Sequence, residues 1–187
     1  MRSNSTLKLA RLGVAALTAT VLGLTFGARP AAASLWQLSD SFEGNPSATW
    51  TIDGVGGGGG VFETGVGTAR TGSNNAFLRA DTDWYGVGRT VHVTPKEVHA
   101  DANCSVGFQV TPVGAAVTLI NVEVIDPGTW NYLALQTIRI SSNGWRLVTS
   151  PNWTGGPVNV FVRLSMLAGR GFAPVRVDDL TVQCTFQ

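Results

Sequence analysis

The sequence predicts an all-β fold, an antiparallel β-sandwich of jelly-roll type, on three observations. No stretch after Ser34 carries the apolar period of an amphipathic helix. Instead, short runs of alternating apolar residues are separated by Gly, Pro, Asn and Asp, and about ten such runs recur at spacings of roughly 8–12 residues. The final run, Ala173 to Phe186, alternates on two parities. Val175 and Val177 point one way, and Leu180, Val182, Cys184 and Phe186 keep the other register. One buried face accepts both sets only with an extra residue between them, which predicts a bulge at Asp178-Asp179. A strand that merely passes from one neighbour to another, with both Asp solvated, satisfies the same pattern.

Residues 1–33 read as a secretory leader and not as part of the fold. Arg2, Lys8 and Arg11 precede an apolar run from Leu12 to Phe26, and the segment ends in Ala31-Ala32-Ala33. The run is short and Gly-interrupted for a membrane anchor. Cleavage after Ala33 leaves residues 34–187 as one β-sandwich domain. The leader takes Arg2, Lys8, Arg11 and Arg29 and no acid, so the remainder carries a net charge of −3. No basic cluster remains, which argues against nucleic acid as a partner. No second apolar run is long enough to cross a membrane, so none is expected to hold the processed chain. Secretion to the extracellular space is the expected localisation.

Taken in order, Leu35 to Phe42 sets Trp36, Leu38 and Phe42 on one face. Glu43-Gly44-Asn45-Pro46 turns the chain. Trp50 and Ile52 lead into Gly56 to Gly60, which reads as a flexible surface loop, because no Lys-Ser/Thr and no helix follow to make a phosphate cradle. Val61 to Thr68 is a weak strand, Arg70 to Asn74 a turn and Ala76 to Ala80 a strand. Asp81 to Gly86 reads as a polar, aromatic loop, and Arg89 to Thr94 as the next strand. Cys104 to Thr111 and Ala116 to Ile125 alternate. Asp126-Pro127-Gly128-Thr129 is a turn. Leu133 to Ile140 is a strand, and Asn143-Gly144 signals a tight hairpin into Trp145 to Val148. Val158 to Leu167 and the final strand complete the chain.

Cys104 and Cys184 are the two cysteines. In an oxidising compartment an even pair implies one disulfide, here closing a long loop; two buried thiols are the alternative.

Catalytic patterns are sparse. Glu63, Glu97 and Glu123 stand singly, with no paired carboxylates of the kind glycoside hydrolysis uses. His92 and His99 flank Pro95 without zinc spacing, and no Gly-x-Ser-x-Gly elbow exists. The aromatics carry more. All six Trp lie after residue 33. Trp36 and Trp50 fall on apolar runs and belong to the core, and Trp145 also packs inward. Trp84-Tyr85 and Trp130-Asn131-Tyr132 sit at loop edges among polar residues. Flat rings with polar neighbours stack on the C–H faces of sugars and hydrogen-bond their hydroxyls. Trp84 and Tyr85 are therefore the first candidates for a carbohydrate site, then Trp130, then Tyr132. Rings that cap the ends of the sandwich are the alternative.

Three fragments together resemble a known grouping. They are Asp40-Ser41-Phe42-Glu43 with Trp50 following, Thr71-Gly72-Ser73-Asn74-Asn75-Ala76-Phe77-Leu78, and Val177-Asp178-Asp179-Leu180-Thr181-Val182. Their order resembles the galactose-binding-like jelly rolls that serve as non-catalytic carbohydrate-binding modules of secreted bacterial glycanases. The resemblance implies a structural calcium where the first and last strands meet. Its ligands would be Glu43, Asp178 or Asp179, and carbonyls near Gly72, with Asp40 added by proximity. A hard cation wants such a mixture of carboxylate and carbonyl oxygens. The expectation is a secreted, non-catalytic protein that binds a polysaccharide or other glycan. A cell-surface adhesion protein with a protein partner and a secreted hydrolase are the competing classes.

Overall fold

The structure is a computed structural model and describes residues 33–186 apart from 66, 115, 116 and 142. The expected leader therefore lies outside the described residues, save Ala33. Eleven strands follow in order: β1 (Ser34–Asp40), β2 (Thr51–Val55), β3 (Gly58–Thr64), β4 (Asn74–Ala80), β5 (Trp84–His92), β6 (Asn103–Pro112), β7 (Thr118–Ile125), β8 (Tyr132–Ile140), β9 (Arg146–Thr149), β10 (Asn159–Leu167) and β11 (Val175–Phe186). Two 3-10 turns, Pro46–Ala48 and Thr94–Glu97, are the described helical pieces. No helix among the described residues is long and apolar enough to cross a membrane.

The strands form two antiparallel sheets, as the alternating runs predict. One has the order β3-β4-β11-β6-β9, with β1 also paired to β11; the other has the order β2-β5-β10-β7-β8. Their inner faces meet in one core. Val106, Phe108 and Val110 of β6 and Val175, Val177, Leu180 and Val182 of β11 oppose Val87 and Val91 of β5, Ile120, Val122 and Val124 of β7, and Val160, Val162 and Leu164 of β10. Burial of these side chains drives the two layers together.

β11 is the centre of the first sheet. Its first residues pair with β4, its later ones with β1, and β6 runs along its other side. The register against β6 shifts between Asp178 and Thr181, which is the bulge the two parities demand. Both apolar sets then reach the core. β1 lies beside β11 over its whole length, from Ser34 opposite Phe186 to Asp40 opposite Leu180, so the two ends of the domain are neighbours. Cys104 and Cys184 sit directly opposite each other on β6 and β11 and are disulfide-bonded. With a sequence separation of 80, the bond stabilises the fold by roughly 4 kcal/mol through chain entropy.

Two readings of the sequence are corrected. Gly58, Gly59 and Gly60 are strand residues of β3 and not a flexible loop. Side-chain-free backbone is needed because a Cβ on Gly60 would lie 2.6 Å from Ile52 Cγ2 and 2.9 Å from Leu78 Cδ2. Asn143-Gly144 does not close a hairpin. β8 pairs with β7 and β9 with β6, so the chain changes sheets there. Gly144 takes a φ of +97°, a conformation glycine adopts without the clash a Cβ would bring.

Candidate functional site

Two regions collect the candidate residues. The first is the outer face of the second sheet. Alternation turns Trp84 outward on β5, where it opposes Leu167 of β10, and Leu167 opposes Leu119 of β7. At the other end, Phe161 opposes Ile125, which opposes Tyr132 on β8. The two rows lie six positions apart along β10, a distance of about 20 Å. Trp130 is 63% exposed and Tyr132 is 53% exposed. The Trp130 ring lies 5.9 Å from that of Phe161. An aromatic group thus stands at each end of one sheet face.

The hairpin loop that carries Trp130 is braced. Asp126 accepts hydrogen bonds from the Gly128 amide at 2.8 Å and the Thr129 hydroxyl at 3.0 Å. The Trp130 amide donates to the Asp126 carbonyl at 2.8 Å. Trp130 has φ +58°, and Asp83, just before Trp84, has φ +63°. Non-glycine residues in that region are strained, and surrounding structure must hold them there.

Between the aromatic ends the face is mostly polar, with Leu135 exposed opposite Glu123. Asn121 and Thr137 are hydrogen-bonded neighbours at 2.7 Å. Glu123 is 2% exposed and Arg163 is 8% exposed, although both stand on an outer face. Glu123 Oε2 accepts from Arg163 Nε at 2.8 Å and Nη2 at 2.6 Å, and Glu123 Oε1 accepts from the Ser165 hydroxyl. Arg163 also approaches Asp53 Oδ2 at 3.7 Å. Burial raises the Asp53 pKa, partly offset by that guanidinium. Asp53 Oδ1 is buried and takes no hydrogen bond among the described residues.

Tyr85 does not belong to this face. One residue after Trp84, it points inward, packs against the core and fills the space left by Gly54 and Gly58. Period-two alternation forbids neighbouring residues from sharing a face. Trp153 is buried and its backbone bridges to Cys104. Asp53, Glu123, Arg163 and Phe161 were missed. Their signal is the outward-facing sets Asn121-x-Glu123 and Phe161-x-Arg163-x-Ser165, in which polar groups interrupt β-branched strands.

The second region is where the two ends of the domain meet. A cavity of about 480 Å³ is lined by Asp40, Glu43, Arg70, Thr71, Asp179 and Thr181, among others. Glu43 Oε1 accepts from the amides of Ser73 and Asn74, both at 2.9 Å. Asp178 is wholly buried. Its Oδ2 accepts from the amides of Arg70 at 2.7 Å and Thr71 at 3.2 Å, and its Oδ1 from the amide of Asp179 at 2.7 Å. Burial pushes the Asp178 carboxyl up to about 6 despite these bonds. Thus the expected convergence of Glu43 and the acidic pair on one loop is present.

The four expected metal ligands are not equivalent. Asp179 pairs with Arg70 Nη1 and the Thr71 hydroxyl, each at 2.6 Å. Asp40 pairs with Arg89 and accepts from Trp50 Nε1 at 3.2 Å. Among the described residues Glu43 and Asp178 meet no guanidinium; both accept from backbone amides of the same Arg70–Asn74 segment. Among the described residues no three His, Cys, Asp or Glu side chains group as metal ligands. The room beside Glu43 exists because residue 72 is glycine, whose absent Cβ would overlap that carboxyl group.

No protein-family model matches the chain, and no curated protein matches it. Solved structures do. The CBM22-1 xylan-binding domain of Xyn10C from Paenibacillus barcinonensis is 16% identical with a TM-score of 0.56, over 79% of this chain and 92% of that one. TmCBM61, solved with β-1,4-galactotriose, is 18% identical with a TM-score of 0.52, over 76% and 92%. The K1 cleaved adhesin domain of Lys-gingipain from Porphyromonas gingivalis W83 is 15% identical with a TM-score of 0.54, over 79% and 97%. The chain shares the jelly-roll β-sandwich fold with these structures.

Proposed function

We propose that this chain is a secreted, non-catalytic carbohydrate-binding protein, with a calcium ion bracing its domain ends. The observation that carries the reading is the outer face of the second sheet, with Trp84 at one end, Trp130 and Tyr132 at the other, and polar groups between them. A linear glycan laid on this face stacks its sugar rings on the indoles and hydrogen-bonds its hydroxyls to Asp53, Asn121 and Thr137. The fold shared with modules named for xylan and β-1,4-galactotriose supports the same class of ligand. Glu123 and Asp53 flank one guanidinium instead of facing each other across an open gap, which favours binding over hydrolysis. The leader pattern of residues 1–33 supports secretion.

Calcium is proposed at Glu43 and Asp178, completed by carbonyl oxygens of the Arg70–Asn74 segment. When bound, the ion supplies charge compensation for a buried carboxylate and ties three segments distant in sequence. Asp40 and Asp179 serve instead as ion-pair partners that hold the surrounding loops.

The similarity to an adhesin domain favours one second reading, adhesion to a protein partner. A glycan array probed with and without chelator separates the two. Retention in native gels containing xylan or β-1,4-galactan, lost in Trp84→Ala, supports the glycan. No glycan on the array, with retention unchanged by the substitution, removes it.

A further inference from the structure

A buried ion pair on the outer face of a sheet needs an explanation. Desolvating two charges is costly, and a hydrophobic pair of similar size is often as stable or more so. Glu123 and Arg163 are nonetheless more than nine-tenths buried on that face, joined by two hydrogen bonds. Their surroundings show what the arrangement does. The Arg163 guanidinium carbon lies 4.2 Å from the centroid of the Trp84 ring, at stacking distance. Arg163 reaches the indole by crossing β5, and β5 leaves room for it. Gly86 stands on the same face, and a Cβ there would lie 3.1 Å from Arg163 Cδ. Gly88 likewise leaves room for Phe161, whose Cζ would lie 2.7 Å from an added Cβ. The Ser165 hydroxyl on Glu123 and the Asp53 carboxylate beside Arg163 complete the bracing.

We propose that Arg163, anchored by Glu123, is a positioning residue that supports one face of Trp84 and fixes the indole as a platform open to ligand on its other face. This rests on the glycan reading and extends it from the ring to its support. A free indole has two χ angles to immobilise when a sugar stacks on it. A ring already stacked on a fixed guanidinium has lost that freedom before binding, so less affinity is forfeited on association.

Removing one partner would strand a buried charge, so both are replaced together, as Glu123→Gln with Arg163→Met. The protein is labelled with 5-fluorotryptophan, and the Trp84 resonance is assigned by its loss in Trp84→Phe. In the double variant the Trp84 resonance shifts or broadens, those of Trp50 and Trp153 stay, and retention by a retarding gel of xylan or β-1,4-galactan weakens about tenfold. Arg163→Lys, which keeps a cation but not the two-bonded geometry, recovers part of both. An unchanged Trp84 resonance in the double variant overturns the proposal, whatever retention does. Weaker retention with that resonance unchanged would mean that Arg163 touches the glycan directly. If no polysaccharide retards the wild-type protein, the glycan reading fails by itself. The fluorine resonance then still decides whether Arg163 fixes Trp84.

Discussion

Glu43 folds its carboxylate over Gly72 so closely that a Cβ at residue 72 would overlap it. That oxygen caps the amides of Ser73 and Asn74, and Gly72 itself holds φ +62°. Gly72→Ala therefore adds backbone strain and also displaces Glu43. Gly171 is the control, because it has φ +77° but nothing within 4 Å of an added Cβ. Gly171→Ala should cost about 1–2 kcal/mol. Gly72→Ala should cost at least about 1 kcal/mol more, through the two lost caps. Urea unfolding of both variants measures the difference.

The calcium proposed at Glu43 and Asp178 would bind the folded chain alone and so raise stability by mass action. Calcium at a hundred times its dissociation constant adds about 2.7 kcal/mol, or roughly 5–10 °C in melting temperature. Chelator should reverse the gain, and Glu43→Gln should abolish the dependence on calcium. Asp40→Asn should lower stability but keep it. A melting curve indifferent to chelator in the wild-type protein removes the ion.

Two carboxylates give the metal-free protein opposing pH dependences. The Arg176 guanidinium hydrogen-bonded to Glu63 lowers that carboxyl below its ordinary 4.5. Its stabilisation is complete above 4.5 and is lost as pH falls through the lower folded value. Asp178 is pushed up to about 6 from 3.8, so between those values the folded chain holds a proton that the unfolded chain has released. Stability consequently falls as pH rises through that window. In chelator, unfolding free energy should be greatest in mildly acid solution. Asp178→Asn should remove the decline towards pH 7, and Glu63→Gln should flatten the acid limb.

Trp84 and Tyr85 are adjacent but should fail differently. Trp84→Ala removes an outward ring stacked on Arg163 and should abolish retention by polysaccharide, at a stability cost of about 1 kcal/mol. Tyr85→Ala empties space in the interior and should cost about 3 kcal/mol, with retention preserved in the folded fraction. Paired unfolding and gel-retention measurements distinguish the two.

The two parities of β11 made a fault at Asp178-Asp179 legible but left open a bulge or a change of neighbour; β11 shows the register shift against β6 and also passes from β4 to β1, with Asp178 buried. The acidic convergence was expected only through the resemblance to galactose-binding-like jelly rolls, because no spacing in the sequence relates Glu43 to Asp178 and Asp179. Tyr85 was misplaced because Trp84-Tyr85 was read as a loop, where alternation does not apply. The structure makes it the start of β5. The glycines of β3 misled because glycine weakens a strand in isolation, whereas packing against Ile52 and Leu78 decides here. Glu123 looked solitary because its partner Arg163 is 40 residues away, and only the β7–β10 pairing brings them together.

The most direct measurement is a map of backbone amide resonances on titration with a xylan or β-1,4-galactan oligosaccharide that binds. The account predicts that Asn121, Thr137, Ser165 and the Trp84 and Trp130 indoles shift together, while Thr181 and Gln183 on the other sheet do not. Shifts confined to the other sheet, or to the cavity at the domain ends, would contradict it.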